Sequence, residues 1–301
     1  MNHLHSIYLT GGLPREGRLP FRLASNIQSF QECHPEAHHT LYDDEALREF
    51  VRTNMGRDAT RAFDSLIPLA YRADLGRYAL LLERGGIYAD LAVHFFQPVC
   101  NLEGIDRIHV FRDGFSAAPW IVSISIIACP PGVQLFQLAI DQIIENCDKG
   151  NYGVNPLCPT GPNLFGKLIA ASVPLEKIIC GESRRINRND LHSYAYLSAA
   201  GDLLAVNVKL GAGLRSLGVA VNEDYNRIYA AGNIYGELAK RLIFKKSDYL
   251  REGWVDPSSS GKGFWSMASA SVLRGPFTPL GPGGYKATFF LRAVSPVVGS
   301  T

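Results

Sequence analysis

The sequence predicts an α/β fold. Its first 170 residues alternate short segments rich in β-branched and aromatic residues with segments whose apolar residues recur at helical spacing, which is the pattern of α/β proteins. The composition agrees, because 301 residues of which 47% are hydrophobic and 19% charged are enough to bury a sizeable core. We therefore expect a globular chain built around one sheet.

The predicted elements follow in order. A strand at 6–10 stops at two glycines, a helix covers 21–30, a strand covers 39–42, and two aspartates cap a helix at 45–52. An apolar helix at 69–82 then ends at Gly85 and leads into a buried strand at 87–89. A strand at 120–128, a helix at 133–146 and a helix with Thr160 as its cap and Pro162 in its first turn complete the pattern.

Composition also separates two regions. Glycine, proline and serine interrupt short apolar pieces beyond residue 250, so we predict a main domain at 1–250 and a less regular C-terminal appendage at 251–301. The uncharged run at 114–140 is broken by prolines and is not predicted to span a membrane. A formal charge of +2 argues against a nucleic-acid partner, and six scattered cysteines with no leader-like start favour a cytoplasmic protein.

Three ionisable residues are candidates for a site. Asp74 and Arg77 share one helix face, and Asp90 follows the strand into which this helix leads, so all three can meet at one edge of the sheet. Open α/β sheets bind ligands at such an edge. The alternative is an ordinary surface ion pair with Asp90 ending a strand in solvent.

Residues 70–90 resemble, without a gap, the signature of the DXD-containing sugar transferases of glycosyltransferase family 32. Segments 7–11, 39–43 and 160–162 resemble that family's first strand and nucleotide loop, its second strand and its Thr-Gly-Pro turn. The resemblance covers roughly residues 5–170. It implies a GT-A fold, which is a Rossmann-like mixed sheet flanked by helices. It also implies transfer, with retention of configuration, of a hexose from a nucleotide-diphosphate sugar to a saccharide or lipid-linked acceptor, as in surface polysaccharide or lipopolysaccharide synthesis.

The resemblance also implies roles for residues. Asp74 and Arg77 would bind the hydroxyls of the donor sugar, and Asp90 would contact sugar, ribose or a Mn²⁺ or Mg²⁺ ion. Thr10 and Gly11 would bring the main chain against the base and ribose. The remaining candidate donor contacts are Tyr71, Tyr88, Ala89, Thr160, Gly161 and Pro162, and both tyrosines have a core position as the alternative.

The chain departs from the family at its DXD motif, which here is Asp90-Leu91-Ala92. Ala92 cannot bind an ion, so a weak or metal-independent enzyme, a nucleotide-sugar-binding pseudoenzyme and an introduced inactivating change all stay open. On an extended strand His94 would point the same way as Asp90 and could be a second metal ligand, the alternative being a histidine without a ligand.

Two further functional alternatives are a hydrolase and a protein that contacts the membrane surface. A generic α/β hydrolase is disfavoured because the chain lacks a G-x-S-x-G elbow. The basic stretches 184–188 and 240–246 favour either peripheral contact with the inner membrane face or solvated helix faces.

Overall fold

The computed structural model describes residues 2–11, 19, 21–114, 120–151, 153, 157–186, 193–208, 265–267 and 270–272. Its helices are α1 (Phe21–Cys33), α2 (Asp44–Ser65), α3 (Leu69–Arg84), α4 (Gln134–Lys149) and α5 (Pro162–Ser172), with a short 3-10 helix at Leu175–Lys177. Its strands are β1 (His3–Ile7), β2 (His38–Tyr42), β3 (Gly86–Ala89), β4 (Val93–Phe95), β5 (Ile108–Asp113), β6 (Val122–Cys129), β7 (Ile178–Arg185), β8 (Ser193–Leu197), β9 (Leu203–Val208), β10 (Trp265–Met267) and β11 (Ala270–Val272).

Nine of these strands form one mixed sheet in the order β2-β1-β3-β6-β5-β7-β8-β9-β4. β1 runs parallel to β2 and β3, and β5 runs parallel to β7, whereas β6, β8 and β9 pair with their neighbours in antiparallel fashion. The predicted α/β class, a mixed sheet flanked by helices, is confirmed.

The helices pack on the sheet through two apolar clusters. The larger cluster joins α2, α3, α4 and α5 to the sheet and includes Tyr78, Phe136 and Phe165, whose rings lie 5.0–6.3 Å apart. The smaller cluster holds α1 against β4, where the rings of Phe30 and Phe95 stack at 4.7 Å. Aromatic pairs at these distances add packing energy beyond the area they bury.

Two glycines make the sharp passage from α3 into β3. Gly85 ends the helix with φ 59°, and its N–H donates to the carbonyl of Leu81. Gly86 follows with φ 90°, and a Cβ there would lie 2.2 Å from the carbonyl oxygen of His3 on β1. Only glycine fits at this close approach, and the turn delivers Asp90 to the edge of the sheet.

Some predicted boundaries differ from those observed. β1 ends at Ile7, so Thr10 and Gly11 lie in the following loop. α2 has the predicted cap, since the Asp43 carboxylate accepts from the Ala46 N–H at 2.9 Å, but it continues to Ser65 across a break at Gly56, where φ is 81°. The predicted helix is shorter and ends at residue 52, because the rest of α2 is mostly polar.

The strands β10 and β11 pair as an antiparallel ribbon within a second compact unit, Lys246–Thr301, of which only these strands are described. The division at residue 250 remains a prediction. Within the described residues, no helix combines the length and the apolar character that crossing a membrane requires.

Candidate functional site

Asp74, Arg77 and Asp90 meet at one edge of the sheet. Arg77 Nη2 lies 3.1 Å from Asp74 Oδ1, and Arg77 Nη1 lies 3.3 Å from Asp90 Oδ1. Asp74 is 1% exposed and Arg77 is 5% exposed, so this is not the ordinary surface pair that spacing alone allows. Buried charges persist in proteins when they are paired and hydrogen-bonded, as these are.

The Arg77 guanidinium is fixed from several sides. Nη1 donates to the carbonyl of Ile124 on β6 at 2.6 Å, and the guanidinium carbon lies 4.5 Å from the centre of the Tyr88 ring. Burial alone would lower the pKa of Arg77, but the neighbouring Tyr88, Asp90 and Asp74 outweigh it and raise that pKa above its ordinary value. The group is therefore a permanent, rigidly held cation.

Tyr88 positions Asp90. The buried Tyr88 hydroxyl donates to Asp90 Oδ1 at 2.8 Å, and burial raises the pKa of Tyr88 well above its ordinary value, so it stays protonated as a donor. The main-chain N–H of Asp90 donates to the Ser125 carbonyl on β6 at 2.9 Å. Asp90 thus keeps a defined orientation although its side chain is 17% exposed.

The start of α5 is fastened to the same group of residues. The Thr160 hydroxyl donates to Asp74 Oδ2 at 2.7 Å, and the Tyr78 hydroxyl donates to the Thr160 carbonyl at 2.9 Å. The helix therefore has Gly161 as its N-cap instead of the predicted Thr160, because the threonine side chain is used to bind Asp74. Pro162 does lie in the first turn, as predicted.

A cavity of about 230 Å³ opens beside these side chains. Asp74, Arg77, Asp90 and Pro162 line it together with residues of the sheet. The volume is below the roughly 300–1,000 Å³ of pockets for drug-sized ligands. It suits a single sugar ring better than a whole nucleotide sugar.

Other predicted donor contacts lie elsewhere. Thr10 and Gly11 bind a different carboxylate, with their N–H groups 2.7 and 3.1 Å from Asp44. Tyr71 and Ala89 are buried in the two apolar clusters, and neither lines the cavity. The structure therefore brings the ionisable candidates together with the start of α5, and none of these four residues is among the described residues that line the cavity.

The geometry expected of His94 is wrong. The chain turns directly after Asp90, since the Val93 N–H donates to the Asp90 carbonyl at 3.0 Å, so these residues do not form the extended strand that would align the two side chains. His94 Nδ1 lies 3.2 Å from Asn26 Oδ1, and burial lowers the pKa of His94. Across the described part of the chain, no group of three or more His, Cys, Asp or Glu residues is placed to hold a metal ion.

Sequence reasoning missed the polar sheet residues in the cavity. These are Asp113, Ser123, Ser125, Ser183, Tyr194, Tyr196 and Asn207. One signal was present, because serine alternates with buried valine and isoleucine at the start of β6. Of the two basic stretches, 240–246 lies outside the described residues. The other, 184–188, is described only as far as residue 186, and Arg184 and Arg185 belong to strand β7, so the helix expected there is wrong for these two residues.

Comparison with known proteins gives a family match for part of the chain. Residues 20–109 match the family model described as "Glycosyltransferase sugar-binding region containing DXD motif". Over 79 residues the chain is 34% identical to inositol phosphoceramide mannosyltransferase 3 of Schizosaccharomyces pombe (strain 972 / ATCC 24843), which is 26% of this chain and 22% of that relative. The resemblance to DXD-containing glycosyltransferases is thus confirmed over the matched region, and the chain matches only about a fifth of the relative's length.

Solved structures also align with the chain. The PaToxG glycosyltransferase aligns with a TM-score of 0.46 and 15% identity over 58% of this chain and 69% of that one. The UDP-bound glycosyltransferase domain from the YGT toxin aligns with a TM-score of 0.42 and 9% identity, over 60% and 79% of the respective chains.

Proposed function

We propose that this chain, whose residues 20–109 carry a glycosyltransferase sugar-binding region, transfers a hexose from a nucleotide-diphosphate sugar to a saccharide or lipid-linked acceptor. One observation carries the proposal: a buried arginine shared by two aspartates faces a cavity of the size of one sugar, and all three residues lie inside the matched region. The name of the yeast relative supports mannose as the hexose and a lipid-borne acceptor.

The charges of the cavity suit the sugar part of the donor. Among the described side chains that line it, Asp74, Asp90 and Asp113 are carboxylates and Arg77 is the cation. Carboxylates accept hydrogen bonds from sugar hydroxyls and the guanidinium donates to them. Glycosyl transfer passes through an oxocarbenium-like state in which positive charge develops on the sugar ring, and a carboxylate-rich cavity stabilises that charge.

The described residues do not fit the Mn²⁺ or Mg²⁺ ion that the resemblance implies. Asp90 is the one carboxylate left of the DXD motif, and its Oδ1 already accepts from Tyr88 and contacts Arg77. Ala92 is fully buried and has no ligand atom, and His94 interacts with Asn26 instead of with Asp90. No step of the mechanism is therefore assigned to a metal, and transfer with retention of configuration stays part of the proposal.

The direct test is release of nucleotide from UDP-glucose, UDP-galactose, UDP-N-acetylglucosamine and GDP-mannose, each with and without Mn²⁺. We expect release from at least one donor by the unmodified chain, and a loss of at least tenfold in Asp90→Asn. Asp64→Asn is the matched control, because Asp64 forms an exposed ion pair with Arg48. Release that needs Ala92→Asp would instead support the second candidate function below.

The second candidate is a pseudoenzyme that binds a nucleotide sugar without transferring it. The absence of the second DXD carboxylate at Ala92 favours it. A donor that raises the melting temperature of the chain while no nucleotide is released would identify this function. No release from any donor by the unmodified chain or by Ala92→Asp, together with no thermal shift, would refute both candidates. A role in surface polysaccharide synthesis at the inner membrane face is proposed only for the first candidate function, the sugar transferase.

A further inference from the structure

The chain that follows Asp90 is fastened to helix α1 along its length. Polar side chains of α1, and of the residue directly after it, bind main-chain groups that follow one another at intervals of four residues. The pairs are Asn26 with Leu91, Ser29 with Phe95 and His34 with Val99. All three side chains are buried, so water does not readily replace these hydrogen bonds. Helix α1 therefore helps to determine the path of the chain after Asp90.

Asn26 makes the attachment nearest to Asp90. Its amide nitrogen donates to the carbonyl of Leu91 at 2.8 Å, and its amide oxygen lies 3.2 Å from Nδ1 of His94. A carbonyl oxygen only accepts, so the amide nitrogen must face Leu91. The amide oxygen also only accepts, so His94 Nδ1 carries the proton and donates. One side chain thus bridges the two ends of the stretch from residue 91 to residue 94.

The turn after Asp90 has no polar side chain of its own with which to hold its shape. Residues 91–93 are leucine, alanine and valine, and all three are buried. Within the turn, the Val93 N–H donates to the Asp90 carbonyl at 3.0 Å. A buried carbonyl without a partner is costly, and that of Leu91 receives the Asn26 amide. Loss of this donor would therefore favour a different turn.

The turn matters to the site because it fixes the chain on the far side of Asp90. The Asp90 N–H donates to the Ser125 carbonyl, and the Tyr88 hydroxyl donates to the Asp90 carboxylate. These contacts hold the residue from the side of β3 and β6, whereas Asn26 holds the peptide group that comes after it. A displacement of about 1 Å at a reacting group can lower a rate about 100-fold.

We propose that Asn26 is a positioning residue, which sets the orientation of the Asp90 carboxylate in the cavity by binding the carbonyl of Leu91. The proposal rests on the proposed function, which assigns to Asp90 its contact with the donor. Asn26 is not among the described residues that line the cavity, so it acts through Asp90. This fixation does not need the second carboxylate of the DXD motif, which is replaced here by Ala92. The alternative is that Asn26 only attaches α1 to the sheet, as Ser29 does.

The kinetics of nucleotide release separate these two roles. Asn26→Leu removes both hydrogen bonds and keeps a branched side chain of similar size, and we expect kcat/KM for the donor to fall at least tenfold. Ser29→Ala is the matched control, because it removes another buried bond from α1, the one that Ser29 accepts from the Phe95 N–H at 3.0 Å. Both variants should be less stable, but kcat/KM of Ser29→Ala should stay within twofold. An equal loss of kcat/KM in the two variants would overturn the proposal.

A double-mutant cycle shows whether Asn26 acts through Asp90. Residues that act as a unit have non-additive effects. We expect Asn26→Leu to weaken calorimetrically measured donor binding at least fivefold in the unmodified chain and less than twofold in the Asp90→Asn background. The same factor in both backgrounds would overturn the proposal, because Asn26 would then affect binding without Asp90.

Amide hydrogen exchange tests the turn without any donor. The Val93 N–H, which donates to the Asp90 carbonyl, should exchange at least tenfold faster in Asn26→Leu than in the unmodified chain, and in Ser29→Ala it should not. Asn26→Ala is the second variant, for use if leucine prevents folding. Unchanged exchange at Val93 would overturn the proposal and leave the proposed function standing. Faster exchange in a chain whose unmodified form neither binds nor releases a donor would refute the proposed function and support the fixation of the turn by Asn26.

Discussion

The hydrogen bond from Thr160 to Asp74 permits a sharp test of how the site is built. Thr160→Val keeps the shape of the side chain and removes the hydroxyl that lies 2.7 Å from Asp74 Oδ2. Both residues are buried, and a hydrogen bond to a charged group contributes about 1.5–3 kcal/mol. We expect the free energy of unfolding, measured by urea titration, to fall by about 2–3 kcal/mol with an unchanged m-value.

Thr53→Val is the matched control. Thr53 also donates to a carboxylate, that of Glu49 at 3.1 Å, but it does so on the exposed surface of α2. Solvent replaces that bond, so we expect a change within about 0.5 kcal/mol. If the two variants lose the same stability, then the attachment of α5 to Asp74 does not have the energetic role assigned to it.

Three further outcomes follow from the geometry around β1 and β3 and from the site. Gly86→Ala should destabilise the fold by more than about 3 kcal/mol in urea titration, because its Cβ meets the His3 carbonyl, whereas Gly132→Ala, with φ 74° and open space, should cost about 1 kcal/mol. Burial lowers the pKa of His5 from 6.5 to about 3 in the folded chain. Between these two pH values the unfolded chain takes up a proton that the folded chain does not, so the free energy of unfolding is highest above pH 6.5 and decreases as the pH falls towards 3. Titration of His5 alone should lower the free energy of unfolding by about 2 kcal/mol at pH 5, and His5→Gln should remove this contribution while that of other buried histidines such as His39 remains. In Tyr88→Phe, Asp90 loses the hydroxyl that orients it, so donor-dependent nucleotide release should fall and KM for the donor should rise. The change in KM, expressed as a free energy, should exceed the loss in the free energy of unfolding.

The segment from α3 to β3 is where the sequence was most informative. The apolar positions of this segment predict the helix, the two glycines predict its end, and the apolar residues before Asp90 predict the buried strand. The structure has all three elements. Spacing also placed Asp74 and Arg77 on one face. Their burial was not predictable, because it depends on β6 and on the start of α5, which are far away in the chain.

The rest of the site depends on long-range pairing. Thr160, two residues before Pro162, is predicted from the local sequence to be the helix cap, because threonine is a common N-cap residue. In the structure its hydroxyl binds Asp74 instead, a contact that the local sequence does not reveal. The pairing of His94 with Asp90 requires an extended strand, on which the side chains of residues 90, 92 and 94 point to the same face. A turn at residues 90–93 interrupts that strand, so the two side chains are not aligned. The polar cavity residues on β6, β7, β8 and β9 come together only because these strands neighbour one another in the sheet, and no local pattern in the sequence provides that order.

The proposed function requires that the cavity beside Asp74, Arg77 and Asp90 binds the sugar of a nucleotide-sugar donor. Separate calorimetric titrations of the chain with UDP-glucose and with UDP, and with GDP-mannose and with GDP, measure how much the sugar contributes to binding. We predict that for one pair the sugar-bearing nucleotide binds at least tenfold more tightly than the bare one, and that Asp90→Asn abolishes this advantage. Equal affinity of sugar-bearing and bare nucleotides, in the unmodified chain and the variant alike, would contradict the claim.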